Sequence, residues 1–285
     1  MKNIILGILF AMLWASSSVA TKLGLKSVQP FILSDVRFFM AGALMIAFSF
    51  GFQKDRLPQK QEWKPLMIYG LLNVSIYLGC FVLAMQEVSA GIGSLSIATN
   101  PLIISMLSAL YLGRTVKKIE IIGLVFGVLG VAIATYPLLL NSHASIKGLI
   151  ILAISMFSYS VGTVYYSTVN WQLSRTSING WQVLFGGIFI LPLALFYYQP
   201  TQNQYDKGFY ISVFWMVLAV SIGAVQLWLY LLKIDAVKAS LWLFLCPIFG
   251  FAYARFFLNE PLTIYTFLGT ALVILGLTLA RQTTK

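Results

Sequence analysis

Apolar stretches of about twenty residues recur from one end of this 285-residue chain to the other. Each stretch is long enough to cross the roughly 30 Å hydrocarbon core of a bilayer as a helix. Their approximate bounds are 3–22, 31–52, 65–85, 90–112, 118–137, 147–168, 178–198, 209–232, 236–258 and 262–281. The pattern therefore predicts an all-α membrane protein with ten transmembrane helices.

Composition excludes a soluble fold. Charged residues make up 9% of the chain and hydrophobic residues 59%, whereas soluble domains are about a quarter charged. The net charge of +11 does not indicate a nucleic-acid partner, because the Lys and Arg residues lie in short gaps between apolar stretches rather than on one basic face. Membrane lipid is the expected environment.

The basic residues also predict the orientation. If the N-terminus lies inside, most of the 19 Lys and Arg residues fall on the inner side, including Lys54, Arg56, Lys60 and Lys64. Residues 1–20 resemble a cleavable signal peptide, but we interpret them as the first, uncleaved helix because further apolar stretches follow throughout the chain. We expect a multi-pass protein of a bacterial inner (plasma) membrane with both termini cytoplasmic.

The chain contains an internal repeat. The segment 90–134 aligns without gaps onto 236–280 at a constant offset of 146 residues. Pro and Gly matches carry the most weight because these residues specify the backbone, and they include Pro101/Pro247, Gly123/Gly269 and Gly130/Gly276. The repeat unit is predicted to hold five helices, 1–140 and 141–285. An odd number of spans inverts the second copy, which is a recurrent plan of secondary transporters.

Several motifs resemble a known family. They are the helix-1 sequence Trp14-Ala15-Ser16-Ser17-Ser18-Val19-Ala20-Thr21-Lys22, the pairs Asn100-Pro101 and Cys246-Pro247, and the junction Leu258-Asn259-Glu260-Pro261-Leu262 followed by Gly269 and Gly276. With the ten predicted helices and the repeat, they resemble the drug/metabolite transporter (DMT) superfamily, and more narrowly its EamA-type ten-helix transporters. The first half departs from the pattern, because Gly113-Arg114-Thr115 stands where a Glu is usual. The resemblance implies export or exchange of amino acids or related metabolites.

Polar residues within the apolar stretches are the candidate substrate-binding residues, because polar groups in hydrocarbon are costly and generally face other helices or a cavity. They are Trp14, Ser17, Asn73, Tyr77, Ser94, Asn100, Tyr159, Thr163, Gln226, Tyr230 and Trp242. Asn73 and Tyr77 are four residues apart and share a helix face, as do Gln226 and Tyr230. Together the set predicts a cavity with aromatic walls for an amphiphilic molecule such as an amino acid. For each residue alone, interhelical hydrogen bonding is the alternative.

Two prolines lie inside predicted helices at matching positions of the repeat. Pro101 and Pro247 would each remove a backbone hydrogen bond and free the carbonyl of Ile97 or Leu243. We predict a hinge at these positions, with a static kink as the alternative.

The ionisable residues argue against several mechanisms. Proton-coupled carriers commonly use a buried carboxylate or histidine, but no acid falls in the middle of a predicted span, and His143 lies between helices. Near the outer helix ends, Asp35 and Arg37 are expected to neutralise one another. Lys22 and Arg255 are candidates to attract a carboxylate, with extension of these long side chains to the membrane interface as the alternative. No phosphate-binding Gly-rich loop is present.

These observations favour a monomeric secondary transporter, a facilitator or exchanger of small polar metabolites that works by alternating access between the two halves. We expect no cofactor, no metal and no catalytic residues. The alternatives are a polytopic membrane enzyme, which would need clustered His or carboxylate residues, and a channel, which would need a filter or charged ring.

Overall fold

The computed structural model describes residues 2–111, 118–140, 144–234 and 236–281. Within these ranges the chain is helical, and its only β-type pairing is an isolated bridge between Val88 and Ala144. The prediction of an all-α protein is confirmed for the described residues.

The helices follow the predicted apolar stretches. We label them α1 (Lys2–Gly24), α2 (Pro30–Gly51), α3 (Lys60–Glu87), α4 (Ala90–Tyr111), α5 (Lys118–Leu140), α6 (Ile146–Thr168), α7 (Arg175–Phe196), α8 (Lys207–Leu232), α9 (236–258) and α10 (Ile264–Arg281). Seven of them, α1–α4 and α6–α8, are long and apolar enough to cross a membrane. The other three contain shorter apolar segments, Ile121–Pro137, Trp242–Leu258 and Ile264–Gly276.

Helix α3 begins earlier than the apolar pattern predicts, at Lys60 instead of residue 65. A capping box explains the difference, because the carboxylate of Glu62 accepts a hydrogen bond from the backbone N–H of Gln59 at 2.6 Å. Arg56 donates two further bonds to the same carboxylate. The polar residues before the apolar stretch therefore form its first turn.

Four helices contain irregular segments. Helix α3 has a π-helical segment at Leu71–Ile76, and α8 has one at Met216–Ala224. Helix α4 is interrupted by a turn at 98–99, and α9 contains a 3₁₀ segment at Leu241–Leu245. An offset of 146 residues carries the irregular segments of α3 and α4 onto those of α8 and α9. The irregularities thus occupy matching positions in the sequence repeat, and π-helical segments of this kind are frequent at functional sites.

The two prolines lie just after these interruptions. Pro101 is the second residue of the helix Asn100–Tyr111, and Pro247 is the second residue of Cys246–Leu258. In the first turn of a helix a proline sacrifices no hydrogen bond, since that N–H has no helical partner. The sequence-based expectation of prolines in helix interiors is corrected in this respect: each helix breaks before its proline and restarts there. Whether the break moves stays a prediction.

The helices pack in a crosswise pattern, in which the first helix of each predicted half contacts helices of the other half. Helix α1 packs against α8 and α9, and α6 packs against α3 and α4. Helices α2 and α7 form one long pair, and α5 and α10 form another.

Glycines allow the close approach of α5 and α10. A Cβ atom on Gly269 would overlap the carbonyl oxygen of Gly130, and one on Gly276 would crowd the carbonyl oxygen of Gly123. Residues early in one helix meet residues late in the other, so the two helices are antiparallel. Small residues permit this backbone contact in membrane helices, where packing rather than the hydrophobic effect drives association.

Candidate functional site

A cluster of five aromatic side chains lies at the centre of the helix bundle. Phe10 and Trp14 come from α1, Tyr77 from α3, Tyr159 from α6 and Trp228 from α8, and each is less than 5% exposed. Ring centroids are 4.7 Å apart for Tyr77 and Tyr159, 5.7 Å for Tyr159 and Trp228, and 5.2 Å for Phe10 and Trp228. We call this group the aromatic cluster. It joins α1, α3, α6 and α8, four of the six helices that pack crosswise.

Several polar atoms in and beside the aromatic cluster lack hydrogen bonds. Within the described part of the chain, the indole nitrogens of Trp14 and Trp228, the hydroxyl of Tyr159 and the hydroxyl of Thr163 are buried without a partner. Trp14 lies near Tyr77, and Tyr159 lies near Thr163, but neither pair meets hydrogen-bond geometry. A buried polar group left unpaired costs about 1–3 kcal/mol. Converging donors and acceptors on apolar walls are the usual features of a small-molecule site.

A chain of polar side chains runs beside the aromatic cluster and connects four helices. Arg37 Nε on α2 donates to Ser221 Oγ on α8 at 2.8 Å, and Asn179 Nδ2 on α7 donates to the Ser221 carbonyl at 2.9 Å. Gln182 Nε2 donates to Asn179 Oδ1 at 3.0 Å. Asn73 Nδ2 on α3 then donates to Gln182 Oε1 at 3.2 Å. This polar chain extends from the π-helical segment of α8 to that of α3.

Some of these residues were predicted from the sequence and others were not. The structure brings together the predicted residues Trp14, Asn73, Tyr77, Tyr159 and Thr163. The residues that were not predicted to line the site are Phe10, Arg37, Asn179, Gln182, Ser221 and Trp228. A signal was available for two of them, because Asn179 and Gln182 are three residues apart on one face of an apolar helix.

Two of the predicted site residues make interhelical bonds. The Ser94 hydroxyl lies 2.9 Å from the Ser18 hydroxyl, and Gly250 of α9 packs directly against Ser94. Asn100 Oδ1 accepts a hydrogen bond from Ser160 Oγ at 3.2 Å. These bonds connect α4 to α1 and α6, which is what the interhelical alternative predicts. Substrate contact by Ser94 and Asn100 stays a prediction.

The remaining predicted residues lie around the aromatic cluster. Gln226 Nε2 donates to the carbonyl of Arg175 at 3.4 Å, and the Arg175 guanidinium lies 5.1 Å from the Tyr230 ring centroid. Gln226 and Tyr230 therefore share a face that meets the start of α7. Trp242 packs against α1 through Gly7, and Ser17 is buried on α1 one turn from Trp14.

The charges on α2 differ from expectation. Asp35 and Arg37 are 5% and 6% exposed, yet neither is paired with the other. Both Asp35 oxygens lack a hydrogen-bond partner among the described residues. Residues two apart on a helix do not face each other, so the expected mutual neutralisation is wrong.

Asn259 and Glu260 fix the backbone at the junction between α9 and α10. Asn259 adopts a left-handed conformation with φ of 53°, which ends α9. The Glu260 N–H then donates to the carbonyl of Ala254 at 3.2 Å. The Glu260 carboxylate accepts hydrogen bonds from Ala90 N at 2.7 Å and Gly91 N at 3.0 Å, at the start of α4. Its counterpart in the first half, Arg114, lies outside the described residues.

Two cavities lie between α2 and α3. The larger, about 630 Å³, is on the predicted outer side and is lined by residues that include Gln29, Phe31, Leu83, Gln86 and Tyr197. The smaller, about 10 Å³, lies one turn deeper and is lined by residues that include Thr21, Ser34, Arg37 and Phe81. The first has the volume of a metabolite site, whereas the second holds one water molecule at most.

Comparisons with known proteins show a family match and several similar transporters. The model of the EamA-like transporter family matches twice, over residues 1–136 and 146–282. The uncharacterized transporter YvbV of Bacillus subtilis (strain 168) is 23% identical over 274 residues, covering 96% of this chain and 89% of YvbV. The uncharacterized inner membrane transporter YedA of Escherichia coli (strain K12) is 26% identical over 80% of this chain and 74% of YedA.

A solved crystal structure has a similar fold. It matches with a TM-score of 0.71 at 17% identity, covering 99% of this chain and 97% of the other. At this identity the likeness shows the fold alone. Because the family model covers nearly the whole sequence, this multi-pass membrane protein belongs to the EamA-like transporter family.

Proposed function

We propose that the protein is a secondary transporter of small polar metabolites, amino acids or related compounds, in a bacterial inner membrane. Transport proceeds by alternating access between two inverted five-helix halves, 1–140 and 141–285, with both termini cytoplasmic. All ten helices cross the membrane in this proposal, including α5, α9 and α10. The crosswise packing around the aromatic cluster is the observation that carries it.

The crosswise packing supports two related halves. If α1–α5 correspond to α6–α10, the contacts of α1 with α8 and α9 are the counterparts of the contacts of α6 with α3 and α4. A two-fold relation also predicts that α2 pairs with α7 and α5 with α10, because each helix meets its own counterpart. The contact of Gly130 with Gly269 likewise maps onto that of Gly276 with Gly123.

The composition of the centre supports an amphiphilic substrate. The aromatic rings offer apolar surface, and the unpaired hydroxyl and indole groups of Tyr159, Trp14 and Trp228 offer hydrogen bonds that a polar solute can complete. The aromatic cluster is buried, while a cavity of about 630 Å³ opens on the predicted outer side. Access to the centre therefore requires the halves to move, as alternating access demands.

Counterflow in proteoliposomes tests this proposal. Vesicles containing the purified protein and one unlabelled amino acid are mixed with the same radiolabelled compound, without an ion gradient, across a panel of amino acids. Saturable uptake that internal substrate accelerates supports an exchanger. Unsaturable flux supports a channel instead, and a turned-over product supports a membrane enzyme. Absence of exchange for every compound, with or without a proton gradient, contradicts the proposal.

A conservative variant tests the aromatic cluster. Tyr159→Phe keeps the ring and removes only the hydroxyl, which has no partner in the described part of the chain. We expect the KM for the transported compound to rise about threefold to tenfold, because a neutral hydrogen bond contributes about 0.5–1.5 kcal/mol. The control is Tyr265→Phe on α10, where the side chain is exposed. Equal KM values in both variants and the wild type would count against substrate contact by Tyr159.

A further inference from the structure

Arg37 is a buried side chain whose charge has no ion-pair partner in the described part of the chain. Its side chain is 6% exposed, and Nε donates to Ser221 Oγ while one terminal nitrogen lies 3.8 Å from Met216 Sδ. The guanidinium also lies 5.6 Å from the ring centroid of Phe38. Among the described residues no carboxylate forms an ion pair with it; the ion pairs there are Arg56–Glu62 and Lys147–Glu87.

An unmatched charge at this depth needs explanation. Arg37 follows the start of α2 at Pro30 by seven residues, which places it about two helical turns into the helix. Charged residues inside a membrane are costly and generally pair with an opposite charge or mark a substrate path. A hydroxyl and a thioether satisfy some of the guanidinium's five N–H donors but supply no negative charge. A ligand with a negative charge would supply the missing counter-charge.

The position of Arg37 fits a ligand that reaches the aromatic cluster. Arg37 lines the small cavity together with Phe81. The Phe81 ring lies 6.1 Å from that of Tyr77, a member of the aromatic cluster. On the other side, the large cavity begins one turn further out along α2 and α3. Arg37 thus lies between the outer cavity and the aromatic cluster.

We propose that Arg37 binds the carboxylate of the transported substrate, while the apolar part of the substrate faces the aromatic cluster. This inference rests on the proposed function and names its substrate class as compounds with a free carboxylate. A guanidinium suits this role because its planar fork matches the two carboxylate oxygens. The hydrogen bond to Ser221 fixes Nε and directs the fork. The small cavity must widen to admit the substrate, and its wall includes Met216 from the π-helical segment of α8.

The competing explanation is that Arg37 only connects α2 to α8. A connecting residue affects stability but does not discriminate between ligands. A binding residue discriminates between a carboxylate and the matching carboxamide, which has nearly the same shape and no negative charge. Selectivity therefore separates the two explanations where stability does not.

The experiment measures ligand binding to the purified full chain in detergent, from the concentration dependence of the thermal unfolding midpoint. The probes are matched pairs: L-phenylalanine with L-phenylalaninamide, L-leucine with L-leucinamide, and 3-phenylpropionate with 3-phenylpropionamide. The variants are Arg37→Gln and Arg37→Lys. The matched control is Lys26→Gln, which removes an exposed cation near the same end of the bundle.

We expect the wild type and the Lys26→Gln control to bind at least one carboxylate about tenfold or more tightly than its amide, as a hydrogen bond to a charged group implies. Arg37→Gln should abolish this preference and leave amide binding within about threefold of wild type. Arg37→Lys should keep part of the preference. If Arg37→Gln does not fold, Arg37→Lys decides, through a loss of carboxylate affinity without a loss of amide affinity.

Three results would overturn the inference: no preference in the wild type, an undiminished preference in the Arg37 variants, or no binding of any probe to the wild type. Counterflow is measured separately on the same preparations. Arg37-dependent carboxylate binding without counterflow would contradict the proposed transport and leave this inference standing. Counterflow without a carboxylate preference would contradict this inference and leave the proposed transport standing.

Discussion

The Glu260 carboxylate gives the sharpest test of how the junction motif works. It holds the start of α4 through two backbone bonds, to Ala90 N and Gly91 N, although it lies 170 residues away in sequence from Ala90. Glu260→Gln preserves the size of the side chain and removes the charge. The amide group can accept only one of the two bonds and places its own NH₂ against the second N–H.

The expected loss is about 2 kcal/mol. Replacing a side-chain acceptor at a helix N-terminus costs about 0.5–2 kcal/mol, and losing a negative charge there costs a further 0.3–1 kcal/mol. The N–H groups of Ala90 and Gly91 are buried, so water does not replace the lost bond, and the upper part of the range applies. For a chain of this size, such a loss lowers the unfolding midpoint by about 4 °C.

Thermal unfolding in detergent measures this effect, with Glu62→Gln as the control. Glu62 also bonds a backbone N–H, but it does so within its own helix start and in an exposed ion pair with Arg56, where such pairs are worth about 0–1 kcal/mol. We expect the control to lower the midpoint by less than half as much. A Glu260→Gln midpoint within about 1 °C of wild type, or an equal drop in both variants, would refute the reasoning.

Two further predictions concern packing and pH. Gly130→Ala should lower the free energy of unfolding by about 1–3 kcal/mol, because its Cβ would overlap the Gly269 carbonyl oxygen. The control is Gly51→Ala, whose Cβ would meet no atom within 4 Å and which should leave the denaturation midpoint unchanged. Equal effects of the two substitutions on the denaturation midpoint would contradict the close contact of Gly130 with Gly269. Hydrogen bonds from Phe209 N and Ser27 Oγ, each 2.8 Å, hold the pKa of Asp206 below its usual value. A pKa that is lower in the folded state adds stability at pH values above the unfolded pKa of about 3.9, and this stability is lost as the pH falls through the folded pKa. Thermal unfolding midpoints should therefore fall less steeply below pH 4 in Asp206→Asn than in wild type. Parallel curves of midpoint against pH would refute the role assigned to Asp206.

The fold was the most predictable part of the molecule. Long apolar stretches specify helices in a membrane because every backbone polar group must be satisfied within its own segment. The observed helix bounds differ from the predicted ones where a side chain caps a helix, as at Glu62, whose hydrogen bond to the backbone lets α3 begin early. The π-helical segments were not predictable, although Leu71–Ile76 matches 217–222 at the repeat offset in Leu72/Leu218, Val74/Val220, Ser75/Ser221 and Ile76/Ile222. These residue types are ordinary in apolar α-helices and do not specify a π-helix. Their matching positions became visible only when the backbone was compared with the offset of the repeat.

The candidate site was only partly predictable because polar residues in apolar helices look alike in a sequence. Ser94 and Ser221 both lie in long apolar stretches, yet Ser94 bonds Ser18 across a helix contact and Ser221 receives the Arg37 guanidinium. The difference depends on how each helix is rotated against its neighbours, which a single sequence does not encode locally. From the sequence, Arg37 is expected near the outer end of a helix with Asp35 as its counter-charge. Burial without a counter-charge is the property that singles it out, and only packed helices reveal that property.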